Sequence, residues 1–183
     1  MNVEDLIARC RSGDDLAWEA LVRRYQGRVF ALAIHYLSDP EAARDAAQEV
    51  FVKVYQRLDQ CRDADRFLPW LIRVTRNTCL DERRRGRRRP VEIPVDETIE
   101  IASDEPTPAE EYQQDRRRRL VHRALAMVTP RSREILALKW FGGVTEREAA
   151  DALSIPLGTV KSRLNRARAE LTRRVLELDG EPR

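Results

Sequence analysis

The chain has 183 residues, 42% apolar and 36% charged, with a formal net charge of +3. That length fits one domain or two small ones, and its apolar stretches are far shorter than the ~20 residues of a spanning helix. The mean charge conceals a layout: residues 1–89 sum to +4, residues 90–115 to −9 with no Lys or Arg, and residues 116–183 to +8.

The opening MNVEDLIARCRSGDD has acids where a leader has a basic region and has no apolar core, so no secretory signal and no membrane insertion are expected. Cys10, Cys61 and Cys79 are far apart and odd in number, and His35 and His122 are isolated. No metal site, disulfide framework or cofactor is expected from them, and the cytoplasm is the expected compartment. Arg outnumbers Lys 31 to 3, and Arg is the better fork-shaped phosphate binder.

Nearly every periodic stretch is helical. Trp18, Leu21, Val22 and Tyr25 stand at i, i+3, i+4, i+7, with a capping signal in Ser12 to Asp15. A second helix is expected through Val29, Leu32, Ala33 and Tyr36, stopping near Ser38. Asp39-Pro40 reads as N-cap and first position of the next helix, whose apolar face is Ala43, Ala47, Val50, Phe51, Val54 and Leu58. The polar Asp59–Arg66 is a loop. Phe67, Trp70, Leu71 and Val74 restart a helix running toward Arg85, with Pro69 in its first turn, where proline is tolerated.

From Pro90 to about Asp115 the chain has four prolines, nine acids and no repeating apolar face, a linker composition, although VEIPV at 91–95 is locally β-prone. Helical spacing returns at Arg116 with Leu120, Val121, Ala124, Leu125 and Val128. Thr129-Pro130 caps a helix holding Ile135, Leu136, Leu138 and Trp140, and Gly142-Gly143 breaks it. Thr145 to Glu148 is a capping box before a short helix through Ala149, Ala150 and Leu153. After the break at 154–156, a last helix puts Val160, Leu164, Ala167, Leu171 and Val175 on one face. The expected fold is all-α: two small helical domains, 1–89 and 116–183, joined by an acidic linker at 90–115.

Residues 145–171 form a helix-turn-helix pattern. Outside the buried stripe of its second helix lie Thr159, Lys161, Ser162, Arg163, Arg166 and Arg168, and Gly158 keeps the helix start small. A charged face alone reads as solvated surface. A short capped helix, a tight turn and a basic helix together point to a helix end entering the major groove of DNA.

Six arginines in the seven positions 83–89 attract a polyanion, and the same helix offers Arg73, Arg76 and Asn77. The polar loop before it suits an unstacked base, while Phe67 and Trp70 themselves read first as core. On the helix at 40–58, Asp45, Gln48, Glu49 and Lys53 make a face poorly suited to nucleic acid. It is either a solvated face or a docking face for another protein.

At these residues the chain resembles bacterial RNA polymerase sigma factors of the sigma-70 family, extracytoplasmic-function (ECF) group. Leu21-Val22-Arg23-Arg24-Tyr25 is similar to the family's first-helix motif, and 45–51, DAAQEVF, to its polymerase-docking helix. Residues 67–77 resemble its F-x-x-W-L-x-x-I-A-x-N segment. Residues 158–164, GTVKSRL, with Arg166-Ala167-Arg168, resemble its C-terminal helix-turn-helix nearly letter for letter.

The resemblance implies a promoter-specificity subunit with no catalytic site. The N-terminal domain would dock on the β′ clamp helices through Asp45, Gln48 and Glu49. It would open the −10 element through Cys61, Arg62, Arg66, Arg73, Arg76, Asn77, Arg83 and Arg84. The C-terminal domain would read the −35 element through Gly158, Thr159, Lys161, Ser162, Arg163, Arg166 and Arg168, and sit on the β flap. The acidic linker would thread toward the RNA exit path or the active-site cleft, where its −9 charge would mimic the strand that later displaces it, and an anti-sigma protein is the expected regulator. At Cys61-Arg62-Asp63, where members often have an aromatic and a Gly, the chain departs from the pattern, so base preference at −10 does not carry over. A single thiol there, without a partner or ligand set, is too little to assign a redox role.

Two other classes remain open. An autonomous helix-turn-helix regulator would bind duplex DNA alone, without a polymerase-docking face. A serine recombinase would need an α/β domain with a nucleophilic serine, and the only serines of the first block, Ser12 and Ser38, both read as caps.

Overall fold

The computed structural model describes residues 2–61, 63–86 and 108–180, and all regular structure among them is helical. It begins with a helix not expected from the pattern reading, α1 (Val3–Arg11), whose N-cap Asn2 accepts from Asp5 N at 2.7 Å. Leu6 and Ile7 of α1 are buried. The signal that identifies it is the helical spacing of Val3, Leu6, Ile7 and Cys10, short enough that a search for a leader peptide passes over it.

The next two expected helices are one: α2 spans Asp15–Leu37. Asp14 caps it, accepting from Ala17 N at 3.1 Å, while its other oxygen pairs with Arg9 at 2.6 Å. These bonds, the Ala17 N–H first, hold the Asp14 carboxyl below its usual range. The helix ends at Ser38, which turns left-handed (φ 57°). α3 (Pro40–Arg57) starts as expected, with Asp39 accepting from Glu41 N and Ala42 N and Pro40 in the first turn. The loop then contains two short 3-10 turns, Leu58–Gln60 and Ala64–Arg66, before α4 (Phe67–Gly86).

These helices bury one main core: Leu6 and Ile7 from α1, Leu21, Tyr25 and Val29 from α2, Val50, Phe51 and Val54 from α3, and Phe67 and Leu71 from α4. Each such side chain contributes roughly 1.5–3 kcal/mol on burial. Phe67 is fully buried against Tyr25, ring centroids 5.2 Å apart, as its core reading requires. A smaller cluster joins Ala33, Tyr36, Ala43, Ala46 and Cys79.

α5 spans Pro108–Met127 and so begins eight residues before the expected return at Arg116. The reason is chemical: Pro suits the first position of a helix, and the acids at 110 and 111 favour its first turn, although the same residues read as linker by composition. VEIPV, most of the acidic segment and Arg87 to Arg89 lie outside the described residues.

α6 (Pro130–Trp140), α7 (Glu146–Leu153) and α8 (Leu157–Asp179) follow the expected plan. The capping box is complete: Thr145 accepts from Glu148 N, and Glu148 accepts from Thr145 N at 2.6 Å. Two compact units result. One holds α1–α4 with residues 137–155; the other holds α5, the first part of α6, and α8. In the first unit α7 packs against α4. In the second, α8 lies along α5, and its Glu170 reaches the start of α6, accepting from Thr129 N at 2.8 Å and from its hydroxyl at 3.2 Å.

Candidate nucleic-acid interface

The turn between α7 and α8 is set by backbone geometry. Ser154 adopts φ 53°, and Ile155 N donates to Ala150 O at 3.1 Å. Pro156 then precedes the first turn of α8, where Thr159 N and Val160 N both donate to Pro156 O. No side chain caps this N-terminus, so the N–H groups of Leu157 and Gly158 at its start face a site suited to an anion. Nothing stands within 4 Å of where a Cβ on Gly158 would be, leaving room for a close backbone approach.

Val160, Leu164, Ala167 and Leu171 are buried, as their spacing requires, while Lys161, Ser162, Arg166 and Arg168 are exposed. Thr159 and Arg163 are partly buried at the edges of that face. Ser162 Oγ donates to Thr159 O at 3.1 Å, and Arg166 Nε to Ser162 O at 3.3 Å. The far half of α8 is different: Arg173 and Arg174 both pair with Glu177. The cationic character free for a polyanion therefore concentrates in the half nearest the turn.

In the first unit the side chains expected near melted DNA fall into three groups. Arg73 and Asn77 are exposed on α4 and Arg76 is partly buried. Arg83 and Arg84 are exposed at its end, Arg84 pairing with Asp81 at 3.2 Å. Such exposed pairs are weak and yield readily to phosphate. In the loop, Arg66 is exposed with Nε 3.7 Å from Asp63, Arg62 lies outside the described residues, and Cys61 is 4% exposed. The Cys61 thiol points into the core and donates to Asp63 O at 3.4 Å, so it presents no side chain to a base. Burial pushes that thiol up from its ordinary value, and pushes Cys79 up to about 12.

On α3, Asp45 and Gln48 are exposed, whereas Glu49 is partly buried and paired with Lys53 at 2.7 Å. The pattern reading missed two neighbours on the same face, Val52 (54% exposed) and Tyr55 (63%). Trp18 of α2 meets Tyr55 edge-on at 5.1 Å, and Leu16 nearby in sequence is 72% exposed. The signal was available: 52 and 55 are apolar positions out of register with the buried 50, 51, 54 and 58. Asp45, Gln48, Val52 and Tyr55 thus form a stripe that is polar at one end and apolar at the other.

Among the described residues no group of His, Cys, Asp or Glu is placed to hold a metal ion, and no helix is long and apolar enough to cross a membrane.

Comparison with known proteins adds independent evidence. The Sigma-70 region 2 family matches residues 21–89, and the Sigma-70, region 4 family matches residues 118–171. The RNA polymerase sigma-H factor of Pseudomonas aeruginosa is 31% identical over 172 residues, 90% of this chain and 89% of that protein. The ECF RNA polymerase sigma-E factor of Escherichia coli is 31% identical over 181 residues, 94% of each. Among solved structures, CnrH in complex with the cytosolic domain of CnrY aligns with a TM-score of 0.67 and 26% identity over 97% of both chains. The sigma factor RpoE of Bartonella quintana shares the fold, with a TM-score of 0.64 and 24% identity over 88% of this chain and 97% of that one. With both regions matched in order and relatives aligned nearly end to end, the chain belongs to the sigma-70 family of RNA polymerase sigma factors, in its extracytoplasmic-function group.

Proposed function

We propose that this sigma factor recruits core RNA polymerase to two-element promoters, working in the cytoplasm and without a catalytic site. The observation that carries the reading is a division of surface. An acidic-to-apolar stripe on α3 suits a protein, while α4 and the near half of α8 present arginines and open donors suited to DNA. Asp45, Gln48, Val52 and Tyr55 dock on the β′ clamp helices, with Glu49 contributing beside Lys53. Gly158, Thr159, Lys161, Ser162, Arg163, Arg166 and Arg168 read the −35 element, in a domain that also rests on the β flap.

Arg66, Arg73, Arg76, Asn77, Arg83 and Arg84, with Arg62, act on the melted −10 strand, and Cys61 serves as the buried anchor of that loop. Three carboxylates in the loop, Asp59, Asp63 and Asp65, are acceptors for the exocyclic amino group of an unpaired base. CnrH is seen in complex with the cytosolic domain of CnrY; for this chain too the expected regulator is a protein, an anti-sigma factor that withholds it from polymerase. The acidic segment before α5, residues 90–107, serves as domain linker and lies toward the RNA path in the polymerase.

The test is reconstitution with core enzyme on a fragmented genomic library, which reports class and promoter sequence together. Core plus this chain is expected to initiate at promoters sharing two spaced elements, while the chain alone binds the same duplexes poorly. Tight binding by the chain alone, with core polymerase unaffected, would make it an autonomous helix-turn-helix regulator instead.

A further inference from the structure

The loop between α3 and α4 is held from a helix outside the matched family region. α1 ends at Arg11, ten residues before that region begins at residue 21. Yet α1 packs on both short turns of the loop. Leu6 and Ile7 share the core cluster with Leu58, Cys61 and Phe67, the residues that bracket the loop. From the end of α1, the Arg11 guanidinium donates through Nη2 to the carbonyl oxygen of Cys61.

The loop's own bonds converge on the same point. Cys61 N donates to Leu58 O at 3.1 Å. The Cys61 thiol is buried and donates to Asp63 O. Asp63 in turn accepts from Asp65 N at 2.9 Å through its side chain, and from Arg66 N at 3.1 Å through its carbonyl. Beside these bonds Asp63, Asp65 and Arg66 stay exposed. A charge-assisted bond to a backbone carbonyl is about twice as strong as a neutral one. It is directed at the residue from which the loop's other bonds branch.

We propose that Arg11 is a positioning residue for promoter choice: it locks the Cys61 carbonyl and thereby presents Asp63, Asp65 and Arg66 to the −10 strand in one arrangement. The inference rests on reading this loop as the −10 contact. Arg11 itself touches no DNA in this account. Its effect is preorganisation, which lowers the ordering cost paid when a base is bound.

The experiment uses holoenzyme assembled from the full chain and core polymerase. Initiation is measured on a promoter set in which each −10 position carries each base. Four variants are compared with the parent: Arg11→Met, Arg11→Lys, Asp63→Ala and Arg66→Ala. Arg11→Met is expected to shrink the ratio between best and worst −10 bases by about tenfold, which corresponds to ~1.4 kcal/mol of lost discrimination. Arg11→Lys, which keeps a cationic donor, is expected to restore most of that ratio. Core affinity and −35 dependence are expected to stay within about twofold of the parent.

Unchanged −10 discrimination in Arg11→Met, with Asp63→Ala or Arg66→Ala altering it, overturns the role of Arg11 and leaves the loop reading standing. Unchanged discrimination in Asp63→Ala and Arg66→Ala overturns the loop reading, and the proposal with it. Equal losses of −10 discrimination, −35 dependence and core affinity in Arg11→Met mark a general folding defect, and that too overturns it.

Discussion

The Lys53 ammonium stands 3.0 Å from Thr78 Oγ1, and Thr78 is 2% exposed, so a partly exposed cation on α3 satisfies a buried hydroxyl on α4. The same ammonium pairs with Glu49 at 2.7 Å. Lys53→Met removes the partner of a buried polar group, a loss of about 1–3 kcal/mol. Denaturant unfolding of the variant is expected to show that loss. Parental stability would mean that Thr78 finds another partner.

Val52 is 54% exposed and contributes little to the core, so Val52→Asp is expected to change stability by no more than ~0.5 kcal/mol. Core polymerase affinity, measured by competition with the parent chain, is expected to fall about tenfold. Charge reversal at Asp45 is expected to weaken it as well. Full affinity in both variants would remove the α3 stripe from the docking surface.

Gly158 separates folding from DNA contact. Because nothing crowds its missing Cβ, Gly158→Ala is expected to raise the melting temperature, since Ala is favoured in helices by ~1 kcal/mol over Gly. It is also expected to reduce −35-dependent initiation, because the added methyl group would stand where the proposed interface brings backbone to phosphate. Lys161→Ala with Arg163→Ala is expected to lower −35 dependence and to flatten the salt dependence by about one slope unit per lost phosphate contact. An unchanged response to −35 mutations would displace these positions from the reading face.

Glu170 links α8 to the start of α6. Hydrogen bonds from Ser132 first, then from Thr129, hold its carboxyl below the usual value. A depressed folded-state pKa makes the contribution fully present above the unfolded carboxylate range and lost as pH falls through the folded value. Glu170→Gln is therefore expected to melt lower than the parent at pH 7, with the gap closing as the pH drops below about 4. A gap that persists at low pH would assign the effect to packing.

The thiols should report burial. Cys61 and Cys79 are 4% and 0% exposed, and burial disfavours both thiolates. Cys10 is only partly buried, though its thiol is raised too, by burial first and then by Asp14. Iodoacetamide at pH 8 is expected to label Cys10 first, with Cys61 and Cys79 modified only on unfolding, as read by peptide mass spectrometry. Early labelling of Cys61 would show that its loop opens.

Helix positions on α2 to α4 and α6 to α8 were legible in the sequence because each carries its own periodic apolar face, and α2, α3 and α7 carry their own N-caps as well. Asp39-Pro40, the Thr145–Glu148 box and the break at Ser154 act over a few residues, so their chemistry survives reading in one dimension. The basic face of α8 was legible for the same reason: Val160, Leu164 and Ala167 fix which side is buried, and the basic side follows. The start of α5 was not, because acids and prolines suit both a linker and a first helical turn. Val52 and Tyr55 were legible only as apolar residues off the buried register.

What the sequence by itself determined is therefore the all-helical class, the order of the elements from α2 onward and the family that its motifs match. Only the tertiary structure decided that Cys61 turns inward, that Lys53 reaches the buried Thr78 hydroxyl 25 residues away, and that Arg11 reaches a carbonyl 50 residues away. These are contacts between segments distant in the chain. Periodicity and capping are local, whereas burial and hydrogen-bond partners depend on which helices the core brings together.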